Sequence, residues 1–209
     1  MVSVKPILRM EGSNFMNTLE ALFVILGISL DVFAVMECHG SLVATIHKKQ
    51  LAAFCILLML GQGAALGAGN SISLLLYENR TGVHEALLGQ VVATAIFLCL
   101  GMRLFLKAWR NERLDERREE KLNLSETARL YVRTLLFTLL AGLAFGLLQS
   151  SITGLLAMIL AFTVIGTILG TYTGYRLGFE HKAKAYIAGG ALLIAGGMDV
   201  ALRYIWKII

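Results

Sequence analysis

Charge is scarce in this chain. Only 16% of its 209 residues are Asp, Glu, Lys or Arg, against about 25% in an ordinary soluble domain. A soluble helical bundle carries a charged face along every helix, and most of the apolar blocks here have none. Proline is scarcer still: Pro6 is the single one, so no proline interrupts those blocks. The three cysteines, Cys38, Cys55 and Cys99, are odd in number and form no CxxC pair, which argues against a disulfide scaffold or a zinc knuckle. Also missing are HExxH, a phosphate-binding glycine loop, a nucleophile-plus-base constellation and any cofactor motif. The chain therefore reads as a non-enzyme without a cofactor. Residues 1–15 form a polar, mixed tail unlike a signal or transit peptide, with Met10 and Met16 as alternative starts.

What is present is apolar surface in long runs. Hydrophobic residues make up 57% of the chain and the mean hydropathy is +0.72. They gather at about residues 18–38, 51–76, 85–108, 130–149, 151–175 and 184–206, each near the roughly 20 residues that a spanning helix needs. The expected fold is all-α: a polytopic membrane protein with six transmembrane helices. The fourth and fifth blocks are joined by little more than Gln149-Ser150-Ser151, a tight helical hairpin. The third and fourth are separated by a dense, mixed-sign run from Arg110 to Lys121, which reads as a solvated linker.

Basic residues set the orientation. Thirteen lie on one side of the spans, from Lys48 and Lys49 through the 110–129 loop to Arg176, Lys182 and Lys184, and five on the other. The excess of positive charge marks the cytoplasmic side, which places the charged loop inside and both termini outside. The net charge of +5 thus serves orientation and does not point to nucleic acid. Membrane lipid is the expected surrounding partner, and a homo-oligomer is compatible with the sequence.

The third and sixth spans echo each other. Gly101-Met102-Arg103-Leu104-Phe105-Leu106-Lys107-Ala108-Trp109 reads against Gly197-Met198-Asp199 and the run that follows to Trp206. The second and fifth spans echo more weakly, with Gly63 and Gly67 against Gly166, Gly170 and Gly174, a spacing that lets helix backbones approach closely. A repeat of three spans inverts on duplication. The expected organisation is a 3+3 inverted repeat over residues 16–109 and 130–209, with a site near the midplane at the repeat interface. Arg103 and Asp199 would then face each other across the pseudo-two-fold axis as a buried ion pair, unless both reach outward from helix ends.

One carboxylate, Asp31, stands in the middle of the first apolar block. Such a group costs about 2.5–3.5 kcal/mol or more to insert, and it marks a cavity, a pair or a cation site. As a metal ligand it needs helpers, because hard divalent ions want several oxygens. Gln62, Asn70, Gln149, Ser150, Ser151 and Asp199 are candidates on other spans. Asp31 reads alternatively as the structural partner of a buried basic group such as Arg103. Glu37 and His39 follow about a turn and a half later and could line the cytoplasmic mouth, or simply mark a helix end meeting water.

The stretch Gly27, Ser29, Asp31, Phe33 and Ala34 resembles the motif that opens each half of the MntP family of manganese efflux pumps. The similarity extends over most of residues 16–206, including the Gly101-Met102-Arg103 stretch, the glycines of 163–174 and the last span. The resemblance implies six spans in two repeats and export of a divalent cation, manganese first, as substrate, with Asp31 as principal ligand or coupling carboxylate. Three positions depart from the family pattern. Phe137 stands where the second aspartate is expected, Leu60 or Gln62 where the second span carries a glutamate, and Lys107 at a further acidic position in the third span. These losses leave open a second function: a family member without transport that acts as a structural or regulatory membrane protein.

Overall fold

A computed structural model describes residues 18–42, 48–77, 83–110, 124–148, 150–178 and 180–205. Among them are six helices: α1 (Thr18–Leu42), α2 (Lys48–Tyr77), α3 (Val83–Arg110), α4 (Leu124–Leu147), α5 (Ile152–Leu177) and α6 (Lys182–Ile205). They follow the six apolar blocks, and α1, with 25 residues, is about 37 Å long at 1.5 Å per residue. Five of them are long and apolar enough to cross a membrane. The exception is α4, whose apolar part is the shorter run Tyr131–Leu147. The charged linker and residues 1–17 lie outside the described residues.

The distribution of polarity is inside-out. Large apolar side chains point outward on α2 (Leu57, Leu60, Leu75) and α5 (Ile165, Leu169), while Asp31, Glu37, Gln62, Thr138, Thr163 and Thr167 are buried. In water this arrangement would expose apolar surface and hide polar groups at a cost on both counts. Lipid around the helices removes the first cost, and pairing within the bundle reduces the second. Helix α1 is central, the most deeply buried of the five apolar helices.

Helix α1 packs on α5 and α6, α4 packs on α2 and α3, α3 lies on α6, and α2 touches α5. Glycine permits the two closest approaches. A methyl group at Gly174 would run into the Glu37 carbonyl, and one at Gly40 into that of Thr171, so α1 and α5 touch backbone to backbone. Gly69 and Gly142 do the same for α2 and α4, against the carbonyls of Leu139 and Leu66. The close backbone approach expected at Gly63 and Gly67 needs correction. Gly67 faces open space and Gly63 makes only ordinary contact with Leu160; the packing glycine of α2 is Gly69.

Contact registers give the helix directions. Gly166, Gly170 and Gly174 meet Ser29, Phe33 and Glu37 in rising order, so α1 and α5 run parallel. Gly27 meets Gly189 and Leu193, and Gly196 meets Val24, so α6 runs against α1. Helix α5 stops at Gly178, whose φ of 71° favours glycine and whose N–H donates to the Gly174 carbonyl at 2.9 Å. The chain then turns directly into α6, which places His181 and Lys182 beside the C-terminal half of α1.

Candidate functional site

Asp31 lies near the middle of α1 and is completely buried. Its Oδ1 accepts a hydrogen bond from Lys107 Nζ at 2.6 Å, within a salt bridge. Its Oδ2 has no hydrogen-bond partner. The Asp31 partner is therefore Lys107 and not Arg103, the basic residue named for that role from the sequence. Lys107 belongs to the last turn of α3. Its ammonium reaches inward along the bundle, and 26% of the side chain stays exposed.

Two aromatic rings complete the surroundings of this ammonium. Lys107 Nζ lies 5.2 Å from the Tyr186 ring centre and 6.0 Å from that of Phe137. Phe137 is fully buried on α4, and the Arg103 guanidinium carbon lies 5.7 Å from its ring centre. The ring that stands in place of a second carboxylate thus faces two cations. An aromatic face attracts cations through its quadrupole, by about 0.5–2 kcal/mol each, far less than a charge would supply.

The helpers divide. Gln62 is buried on α2, and its Oε1 accepts a hydrogen bond from Thr138 Oγ1 on α4, one residue beyond Phe137. Its Nε2 is left without a partner. Leu60 is 68% exposed, so of the two candidates for the second-span polar position only Gln62 faces the interior. Asn70 is half-buried beside Gly146, further along α2. Ser150 is half-buried and Ser151 exposed in the α4–α5 hairpin. Gln149 lies outside the described residues. Arg103 and Asp199 are both half-buried on the packed helices α3 and α6. Ser29 turns away from Asp31, its hydroxyl donating to the Ile25 carbonyl at 2.8 Å.

Glu37 and His39 go separate ways. Glu37 is fully buried, and its Oε1 accepts the His181 N–H at 3.0 Å, with His181 Nδ1 at 3.8 Å. That N–H belongs to the residue before α6, so the carboxylate caps the start of the helix and sits at its positive end. Lys182, also buried, hydrogen-bonds the Cys38 thiol. The α5–α6 turn therefore covers Glu37, where the sequence placed it at an open mouth. The His39 ring stacks edge-on against Phe54, 5.0 Å away, and its Nε2 has no hydrogen-bond partner.

Sequence reasoning missed Lys107, Tyr186, His181 and Lys182. Lys107 carried a signal, since a basic residue stands there at a position the MntP pattern makes acidic. His181 lies 144 residues from Glu37, and nothing local connects them. Among the described residues no group of three or more His, Cys, Asp and Glu side chains is placed to hold a metal ion. What the surroundings of Asp31 offer a cation is one carboxylate and two aromatic faces, while the Gln62 oxygen is engaged by Thr138.

A family model described as "Putative manganese efflux pump" matches residues 81–201. The match covers α3 to α5 and most of α6, and so includes Lys107, Phe137 and Tyr186 but not Asp31. No curated protein and no solved structure matches the chain.

Proposed function

Since the chain belongs to the manganese efflux pump family (Mntp), we propose that it is a multi-pass secondary transporter that exports a divalent cation, manganese first, from the cytoplasm. The family is one of transporters and not of enzymes. The observation that carries the reading is the completely buried Asp31, midway along the central helix with one oxygen free. A carboxylate at such depth is expensive unless it works on a charge. Gln62 would supply a further oxygen from α2 once its Oε1 is released by the Thr138 hydroxyl.

The 3+3 inverted repeat gives this site its setting. Exchanging α1 with α4, α2 with α5 and α3 with α6 turns the packed pairs of helices into one another. Individual contacts follow the same exchange. Gly101 meets Ile194 and Gly197 meets Leu98, which are one contact seen twice when Gly101 is aligned with Gly197. Gly170 meets the Phe33 carbonyl and Gly69 the Leu139 carbonyl, again equivalent when Asp31 is aligned with Phe137. In that frame Arg103 and Asp199 are counterparts on opposite sides of the axis, and the Arg103 guanidinium lies over the Phe137 ring rather than on Asp199, the partner named for it from the sequence. Parallel α1 and α5 on one side and α2 and α4 on the other are the units that rock for alternating access.

A second reading is favoured by one specific feature. The Lys107 ammonium already neutralises Asp31, and Phe137 replaces its twin, so the centre lacks the negative charge that a divalent ion needs. On that reading the protein has lost transport and acts structurally. Expression in cells without manganese export, with intracellular Mn²⁺ measured for the natural chain and for Asp31→Asn, separates the two. Lowered Mn²⁺ that depends on Asp31 supports export; unchanged Mn²⁺ supports the structural role.

A further inference from the structure

Lys107 is placed where a lysine in a membrane helix has an easy way out. It stands in the last turn of α3, and a four-carbon stem near a helix end ordinarily carries its ammonium to the water. Here the ammonium goes the other way. It enters the centre of the bundle to a fully buried carboxylate at 2.6 Å and lies against Tyr186 and Phe137. One carboxylate with two aromatic faces suits an ammonium group. A hard divalent ion would ask for more oxygens and gains little from ring faces.

We propose that Lys107 is a tethered cation that holds the cargo position at Asp31 while the protein is empty, so that cargo and the Lys107 ammonium occupy Asp31 in turn and never together. The proposal rests on the reading of Asp31 as the cargo ligand. Its physical ground is the state without cargo. A transporter that returns empty must carry its binding carboxylate through the membrane interior, and an unpaired buried charge is strongly unfavourable there. A co-transported ion can supply the compensation; in this chain the protein supplies it from its own side chain. Simultaneous occupancy would set two cations on one carboxylate. The side chain's 26% exposure gives the ammonium a path outward when cargo arrives. The rings hold the ammonium by attraction too weak to trap it. Phe137 thereby gains a role: where a second carboxylate would bind Lys107 too firmly to release it, a ring does not.

The test uses the full-length chain purified in detergent micelles, with Mn²⁺ as probe and its binding read from the electron paramagnetic resonance of free Mn²⁺. Lys107→Gln and Lys107→Ala are compared with the natural chain, each with and without Asp31→Asn, and gel filtration and circular dichroism verify folding. Lys107→Gln keeps a hydrogen-bond donor near Asp31 and carries the measurement if the alanine variant does not fold. The expected result is Mn²⁺ binding tightened by about tenfold or more in the Lys107 variants, since a competing cation has been removed, with no gain in the Asp31→Asn background. Added n-butylammonium, the lost group as a free ligand, should compete with Mn²⁺ in Lys107→Ala. Asp31-dependent binding that is equal or weaker in the folded Lys107 variants overturns the tether and leaves the transport reading standing. A gain that persists with Asp31→Asn, or no competition by n-butylammonium, also overturns the tether. Absence of Asp31-dependent binding in every variant removes both.

Discussion

Replacing Lys107 by alanine takes one half of the buried pair away and leaves the other. Asp31 Oδ1 then loses its 2.6 Å partner, and Oδ2 already has none. Removing one member of a buried pair costs about 3–5 kcal/mol. Lys107 keeps 26% of its side chain exposed, so the pair is incompletely desolvated and a loss of about 3 kcal/mol is expected. Asp31→Asn behaves differently. Its amide oxygen still accepts a hydrogen bond, and the lysine can turn to solvent, so its loss is about 1 kcal/mol. In the double variant the stranded carboxylate is gone. Its loss should be smaller than that of Lys107→Ala alone, which makes the cycle non-additive by at least about 1 kcal/mol. Unfolding of the full-length chain in mixed micelles titrated with SDS, followed by circular dichroism, reads all four proteins. A double variant that loses the sum of the single losses would refute the pair, as would Lys107→Ala with unchanged stability.

Three further outcomes follow from the packing. Gly174→Leu should cost well over the ~1–3 kcal/mol of ordinary overpacking, because it drives into the Glu37 backbone, whereas Gly67→Leu should fold normally in its open space; folded yield by fluorescence-detected gel filtration compares them. Glu37→Ala should lose about 1–3 kcal/mol by leaving the His181 N–H without its acceptor, while Glu37→Gln keeps an acceptor and should lose less; the SDS titration measures both. Arg103 lies over Phe137 and stands apart from Asp199, so the losses of folded yield in Arg103→Ala and Asp199→Ala should add in the double variant, and a marked departure from additivity would show that the two are coupled.

The helices were legible because hydropathy in a membrane chain is a direct record of what each segment touches. The apolar blocks end within a few residues of the helices in five cases, and α4 begins earlier because Leu124–Leu130 extends a helix whose apolar run starts only at Tyr131. Burial of Asp31 was legible for the same reason. Its partner was not. A lysine at position 107 obeys the orientation rule as a cytoplasmic charge and, by that rule, should leave the bundle; only the three-dimensional placement of Asp31, Tyr186 and Phe137 makes the inward path favourable. The small-residue spacing of α2 misled for a related reason. Gly63, Gly67 and Gly69 differ by which side of the helix meets α4, and sequence spacing alone does not say which. Glu37 looked like a mouth residue because α1 ends soon after it, and the turn that covers it comes from the far end of the chain.

Export as proposed requires that Asp31 bind the cation which the protein carries out of the cytoplasm. Intracellular Mn²⁺ in cells lacking their own manganese export, with the chain or its Asp31→Asn variant expressed at matched membrane levels, tests it most directly. Mn²⁺ should fall with the natural chain and stay unlowered with Asp31→Asn. Mn²⁺ that is unchanged by the natural chain, or lowered equally by the variant, would contradict it.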